Sequence, residues 1–92
     1  MMNFEQVDKK ITTKGFRRSA GIRRLYDDEG RMQKVYDYEK RKGLDMFSVY
    51  LDEFDSVVEV EYTKIGFNRE TGKYQQNVIS VKDFKELNKI LA

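Results

Sequence analysis

The chain has 92 residues, 18 Lys and Arg against 16 Asp and Glu, a formal charge of +2 and 39% apolar residues, which suits one small domain over 1–92 with a modest core. Cys, His, Pro and Trp do not occur, so disulfides, a thiol nucleophile, a Cys/His metal site and histidine acid–base chemistry are excluded. No run approaches the roughly 18 apolar residues of a membrane span, and Met1-Met2-Asn3-Phe4 opens no signal-peptide core, so a cytoplasmic protein without membrane, metal or cofactor is expected.

In chain order, Phe4, Val7 and Ile11 have helical spacing, with Asn3 as a cap and a frayed end at Thr12-Thr13-Lys14-Gly15. Gly15 to Gly21 is basic and poor in apolar residues, which reads as a surface loop. From Ile22 to Lys42 two readings compete. As a hairpin, strands 22–26 and 32–38 flank Asp27-Asp28-Glu29-Gly30; as a helix, Met32, Val35, Tyr36 and Glu39 form a stripe ending at Lys40-Arg41-Lys42-Gly43. The strand-forming run Val35-Tyr36-Asp37-Tyr38 favours the hairpin.

Residues 46–51 place Phe47, Val49 and Leu51 on one face, and 57–67 place Val58, Val60 and Tyr62 opposite Glu59, Glu61 and Thr63. An acidic turn, Asp52 to Ser56, joins them. Asn68 to Lys73 is a second turn, with Gly72 at the position that needs positive φ, leading into a strand over 73–79. Gly66 predicts a bulge or bend. Ser80, with Asp83 three residues on, is the expected cap of a C-terminal helix carrying Val81, Phe84, Leu87, Ile90 and Leu91 on one side. The expected fold is α+β: an antiparallel meander of three to five strands, a short N-terminal helix, and a C-terminal amphipathic helix packed on the sheet.

Charge is the feature that points to a partner. Lys9 to Tyr26 holds Lys9, Lys10, Lys14, Arg17, Arg18, Arg23 and Arg24 with no acid, and a one-sign stretch attracts polyanions. Four of the seven arginines form the pairs Arg17-Arg18 and Arg23-Arg24, and the guanidinium fork suits phosphate. Lys14, Arg17, Arg18, Arg23, Arg24 and Tyr26 are therefore the candidate nucleic-acid-binding residues, with Phe16, Tyr36 and Tyr38 as further aromatics able to stack on bases. The competing explanation is a solvated basic loop, or one paired with the chain's own acids.

A helix-turn-helix with Phe16 to Tyr26 as recognition helix would carry Gly21 mid-helix, and only Phe16, Ile22 and Leu25 to bury. A basic loop beside tyrosine-bearing strands instead favours RNA over DNA. Neither an RRM aromatic motif nor GXXG occurs. The acidic turns match no EF-hand, and turns favour Asp for conformational reasons alone. Catalysis without His would fall to Tyr, Lys, Arg, Glu or Asp, as in a small ribonuclease, but nothing places such groups together, so a non-catalytic accessory protein is expected. The alternative is a protein-binding regulator or inhibitor, of the kind phages and mobile elements encode, docking by charge complementarity. Exposed strand edges also leave a homodimer open.

Overall fold

The computed structural model describes residues 2–40 and 42–92, in the order α1 (Phe4–Thr13), β1 (Phe16–Tyr26), β2 (Met32–Lys40), β3 (Met46–Leu51), β4 (Val57–Asn68), β5 (Lys73–Val81) and α2 (Phe84–Leu91). The architecture is α+β, an antiparallel meander in the order β1-β2-β3-β4-β5. Each strand pairs with its neighbour in sequence, so β1 and β5 are the two edges. Among the described residues no helix is long and apolar enough to cross a membrane.

Three of the strand connections are set by the same local chemistry. In the β1–β2 turn the Asp27 Oδ1 accepts from the amides of Glu29 (3.0 Å) and Arg31 (2.8 Å), while the Gly30 amide donates to the Asp27 carbonyl at 3.0 Å. The β3–β4 turn repeats this with Asp52, whose Oδ1 accepts from Phe54 and Ser56, each at 2.9 Å. In the β4–β5 turn Asn68 accepts from Glu70 at 2.9 Å, and Gly72 donates to the Asn68 carbonyl at 2.9 Å. Each turn closes on a left-handed residue: Gly30 at φ 79°, Asp55 at 61° and Gly72 at 68°. An Asx side chain at the first position satisfies amides that the tight turn strips of partners.

Cross-strand partners share a face, and one face of the sheet carries the core. Tyr38 lies opposite Phe47 and Phe47 opposite Tyr62, while Val49 lies opposite Val60 and Val60 opposite Val81. Val7 and Ile11 of α1 and Leu87 and Leu91 of α2 close this face. Phe47 sits at the centre, edge-on to Phe16 at 4.9 Å and tilted against Tyr62 at 4.8 Å between ring centroids. Burying an aromatic ring of this size contributes on the order of 2–3 kcal/mol, so the row Phe16, Phe47 and Tyr62 ties strands β1, β3 and β4 together.

Both helices are capped by their own sequence. Asn3 accepts from the Gln6 amide at 3.3 Å, and Asp83 accepts from the Glu86 amide at 2.7 Å, each satisfying a first-turn donor, while Glu86 reaches back to accept from the Lys82 amide, one residue before the cap, at 3.0 Å. The cap of α2 is thus Asp83 and not Ser80. Ser80 remains in β5, because Val81 beyond it continues the ladder opposite Val60 and is buried in the core.

Three further expectations, for the basic stretch, for Gly66 and for Val58, are corrected. The basic stretch from Phe16 onward is strand and not loop: Phe16 is anchored in the core, and β1 pairs from there with Lys40, Glu39 and Tyr38. Residues 32–40 are strand, as the favoured hairpin reading expects, and the helical alternative is removed. Gly66 pairs regularly with Gln75, and the irregularity of β4 lies instead at its start, where Leu51 faces Val57 and Tyr50 faces Glu59. Val58 is the extra residue of that bulge, 50% exposed, and Val57 takes the core position expected for it.

Asp55 stands in the left-handed region where the equivalent turn has Gly30, and its carboxylate accepts from Lys34 Nζ at 2.8 Å on the surface. Asp55→Gly is expected to raise the unfolding free energy by about 0.5–1 kcal/mol through relief of the backbone cost. Urea denaturation measures this, and a lowered midpoint would mean that the exposed ion pair outweighs the backbone.

Candidate nucleic-acid interface

Adjacent residues of a strand point to opposite faces, so each arginine pair straddles β1. Arg18 and Arg24 share the helix-covered face with their partners Tyr38 and Lys34, and Arg17 and Arg23 share the open face with Glu39 and Val35. Between Arg18 and Ile22 the register shifts: Ser19, Ala20 and Gly21 stand where β2 offers only Asp37. Two extra residues preserve the facing, so the second pair repeats the orientation of the first. Every residue from Arg17 to Tyr26 is exposed.

The four guanidinium groups are not equivalent. Arg23 holds Asp37 in a bidentate pair, Nε to Oδ2 at 2.7 Å and Nη2 to Oδ1 at 2.8 Å, and Ser48 Oγ donates to the same carboxylate at 2.8 Å. Burial opposes ionisation of Asp37, but the hydrogen bonds from Arg23 and Ser48 outweigh it and hold the carboxyl below its ordinary range. The Asp37 hydrogen bond in turn raises the guanidinium above its own range. Beside them Tyr50 is pushed up to about 12, by burial first and then by hydrogen bonding to the Glu61 carboxylate.

Arg18 is held more loosely. Its Nη1 lies 3.5 Å from Asp8 Oδ1, and its guanidinium sits 5.1 Å from the centre of the Tyr36 ring. Asp8 also accepts from the buried Tyr38 hydroxyl at 2.7 Å, so one carboxylate joins α1, β2 and β1. Burial and that carboxylate push the Tyr38 phenol well above its ordinary range. Among the described residues neither Arg17 nor Arg24 makes an ion pair or lies over an aromatic ring.

The remaining candidates lie at the two ends of the strand. Lys14 follows α1, in a hollow of about 280 Å³ that it lines with Phe16, Lys40 and Asp45. Tyr26 ends β1, 70% exposed and on the face of Arg24. Of the other aromatics named as stacking candidates, Phe16 and Tyr38 are buried in the core, and Tyr36 lies between Arg18 and the Phe4 ring, 4.9 Å away. At the bulge a shallow hollow of about 500 Å³ is lined by Arg17, Arg18, Ser19, Ala20, Glu39 and Lys40.

Two cations of β2 belong to this surface and were missed from sequence. Lys34 lies opposite Arg24, and Lys40 opposite Phe16 with its Nζ 5.1 Å from that ring. Counting back from the Asp27 turn places Lys34; Lys40 is displaced by the bulge, which no residue pattern announces. The helix-turn-helix alternative has no recognition helix, since Phe16–Tyr26 is a strand. The acidic turns spend Asp27 and Asp52 on backbone amides, and among the described residues no group of three His, Cys, Asp or Glu is placed to hold a metal ion.

Comparison of the chain with protein-family models, with curated proteins and with solved structures finds no match.

The Arg23, Asp37 and Ser48 cluster predicts a pH dependence with a definite sign. A carboxyl whose pKa is lowered on folding contributes stability above its unfolded value, about 3.9, and loses it as pH falls through the folded value. Asp37→Asn is expected to cost about 1 kcal/mol at pH 7, discounted because the guanidinium is half exposed, and to flatten the decline of stability below about pH 4. Denaturant unfolding between neutral pH and pH 2 checks it, and an acid decline as steep in the variant as in the parent would contradict the assignment.

Proposed function

We propose that this chain is a small, non-catalytic, cytoplasmic nucleic-acid-binding accessory protein that grips the phosphate backbone of RNA, in preference to DNA, along the outer edge of β1. One observation carries the reading: two arginine pairs straddle a single exposed edge strand, with Arg17 and Arg24 uncommitted to any partner in the described chain. A phosphodiester strand lying along this edge meets guanidinium groups above and below, and outward backbone amides between them. Arg18 is free to exchange its long contact with Asp8 for a phosphate. Arg23, locked to Asp37, acts mainly as a fixed support.

Tyr26 offers a ring face beside Arg24 for a splayed base, which favours a flexible single strand over a duplex read through its major groove. Lys14 and Lys40 extend the positive track past Phe16. The second reading, a protein-binding regulator or inhibitor, draws support from Arg23 itself, which already binds a carboxylate in bidentate geometry; an acidic protein segment offers the same group.

Fluorescence anisotropy with a labelled single-stranded RNA tests the proposal. Log affinity is expected to fall linearly with log salt, and Arg17→Ala with Arg24→Ala to reduce the slope by about 1.4, at about 0.7 for each phosphate of a single strand that the variant leaves without its cation. An unchanged slope would defeat the assignment. A stoichiometric protein partner retained through nuclease treatment, with no RNA affinity, would favour the regulator reading.

A further inference from the structure

The opposite edge of the sheet lacks the features that mark β1. From Tyr74 to Val81 the strand β5 carries no charge and no proline, and its ladder with β4 runs without a register shift from Lys73 to Val81. Its outer edge has no partner strand among the described residues. Long, flat, uncharged edges are templates for pairing with another strand, and soluble proteins ordinarily blunt them. Here β1 is blunted, by four arginines and a wide bulge, and β5 is not.

The outer part of this edge also lies beyond the rest of the sheet. β3 pairs with β4 only as far as Thr63 opposite Met46, so Lys64–Asn68 and Lys73–Asn77 form a two-stranded ribbon with no third strand beside it among the described residues. Its two faces differ. Lys64, Gln75, Asn77, Asn68 and Lys73 share one face with Gly66, while Ile65, Phe67, Tyr74 and Gln76 share the other with Val78. On that second face Phe67 is 56%, Tyr74 68% and Val78 52% exposed, and the Phe67 and Tyr74 rings meet at 5.2 Å. Two strands alone are marginal in water, and this apolar face is covered by no other part of the described chain.

We propose that β5 pairs antiparallel with the β5 of a second copy of this chain, across a two-fold axis at Gln76, joining two sheets into one. The strand is complementary to itself in this register. Tyr74 of one copy faces Val78 of the other on the apolar side, an aromatic and β-branched pairing that sheets favour. Gln76 faces Gln76 across the axis, and on the polar side Gln75 faces Asn77. Lys73, the one charge of the strand, falls opposite Ile79 and not opposite its own copy. The ribbon becomes the middle of a four-stranded β4-β5-β5-β4 unit.

The other pairings of edges are disfavoured by the same residues. Pairing β1 with itself would bring arginines from both copies together, and its bulge interrupts any ladder. Pairing β1 with the β5 of another copy is heterologous, repeats without closure and meets the same bulge. Of these self-associations, the one through β5 closes and meets neither like charges nor a bulge.

The test uses nuclease-treated protein without RNA, so it stands or falls separately from the role of β1. Sedimentation velocity is expected to show a species of twice the 11.0 kDa chain mass that dissociates on dilution. Gln76→Lys combined with Val78→Lys removes both apolar pairs and sets like charges across the axis, and is expected to weaken association by about 100-fold while the circular dichroism spectrum is retained. Because the chain has no cysteine, Gln76→Cys provides a second readout that does not require the charged variant to fold. Antiparallel partners lie about 4.5–5.5 Å apart at Cα, within disulfide reach, so this variant is expected to cross-link on oxidation whereas Ser19→Cys in β1 does not. A monomer at every concentration, a dimer that survives the double substitution, open-ended oligomers, or β5 pairing only with an added foreign strand would each overturn the proposal.

Discussion

An open meander leaves two strands with a full row of backbone donors and acceptors facing outward, and a sheet covered by helices on one side does nothing to satisfy them. Everything distinctive about this chain concerns how those two edges are treated. β1 carries paired arginines and a bulge of two extra residues; β5 carries amides, hydroxyls and exposed apolar side chains. A backbone edge that is charged and irregular repels other strands but suits a polyanion, whereas a regular neutral edge suits another strand. The same fold therefore offers two chemically different surfaces at its opposite margins.

What keeps β1 in place is its attachment to the core. Phe16 buries its ring against Phe47 at the start of the strand, and Asp8 on α1 receives both Tyr38 from β2 and Arg18 from β1. On the open face Arg23 is tied to Asp37, which Ser48 also holds. Phe16 and the bidentate Arg23 pair pin the strand on either side of the bulge, while Arg18 keeps only its long contact with Asp8. Arg17 and Arg24, the outer member of each pair, are exposed and make no ion pair among the described residues. Rigidity is concentrated in Arg23, and availability in Arg17 and Arg24, with Arg18 between the two extremes.

Much of the scaffold was legible because its patterns are strong. Phe47, Val49 and Leu51 alternate cleanly, the Asx and Gly turns announce their hairpins, and Leu87 and Leu91 mark the buried side of α2. Where reading failed, one residue carried too little information. Phe16 is the single core residue of β1, so Arg17 to Gly21 resembles a loop. The bulge over Ser19 to Gly21 and the bulge at Val58 leave no periodic trace, because a bulge is defined by the partner strand. Ser80 and Asp83 are both good caps, and it was the pairing of Val81 with Val60 that decided between them. The arginines were visible as charge, but their division between faces, and the engagement of Arg23 by a carboxylate 14 residues away, require the register of the hairpin.

The division of labour between the edges is tested most directly by amide hydrogen exchange followed residue by residue. In nuclease-treated protein the outward amides of β5 are predicted to exchange slowly at high protein concentration and faster on dilution, while those of Ser19, Ala20 and Gly21 exchange fast throughout. Adding single-stranded RNA is predicted to slow exchange along β1 and to leave β5 unchanged. Fast exchange of the outward β5 amides at every concentration, or protection by RNA that falls on β5 and spares β1, would contradict it.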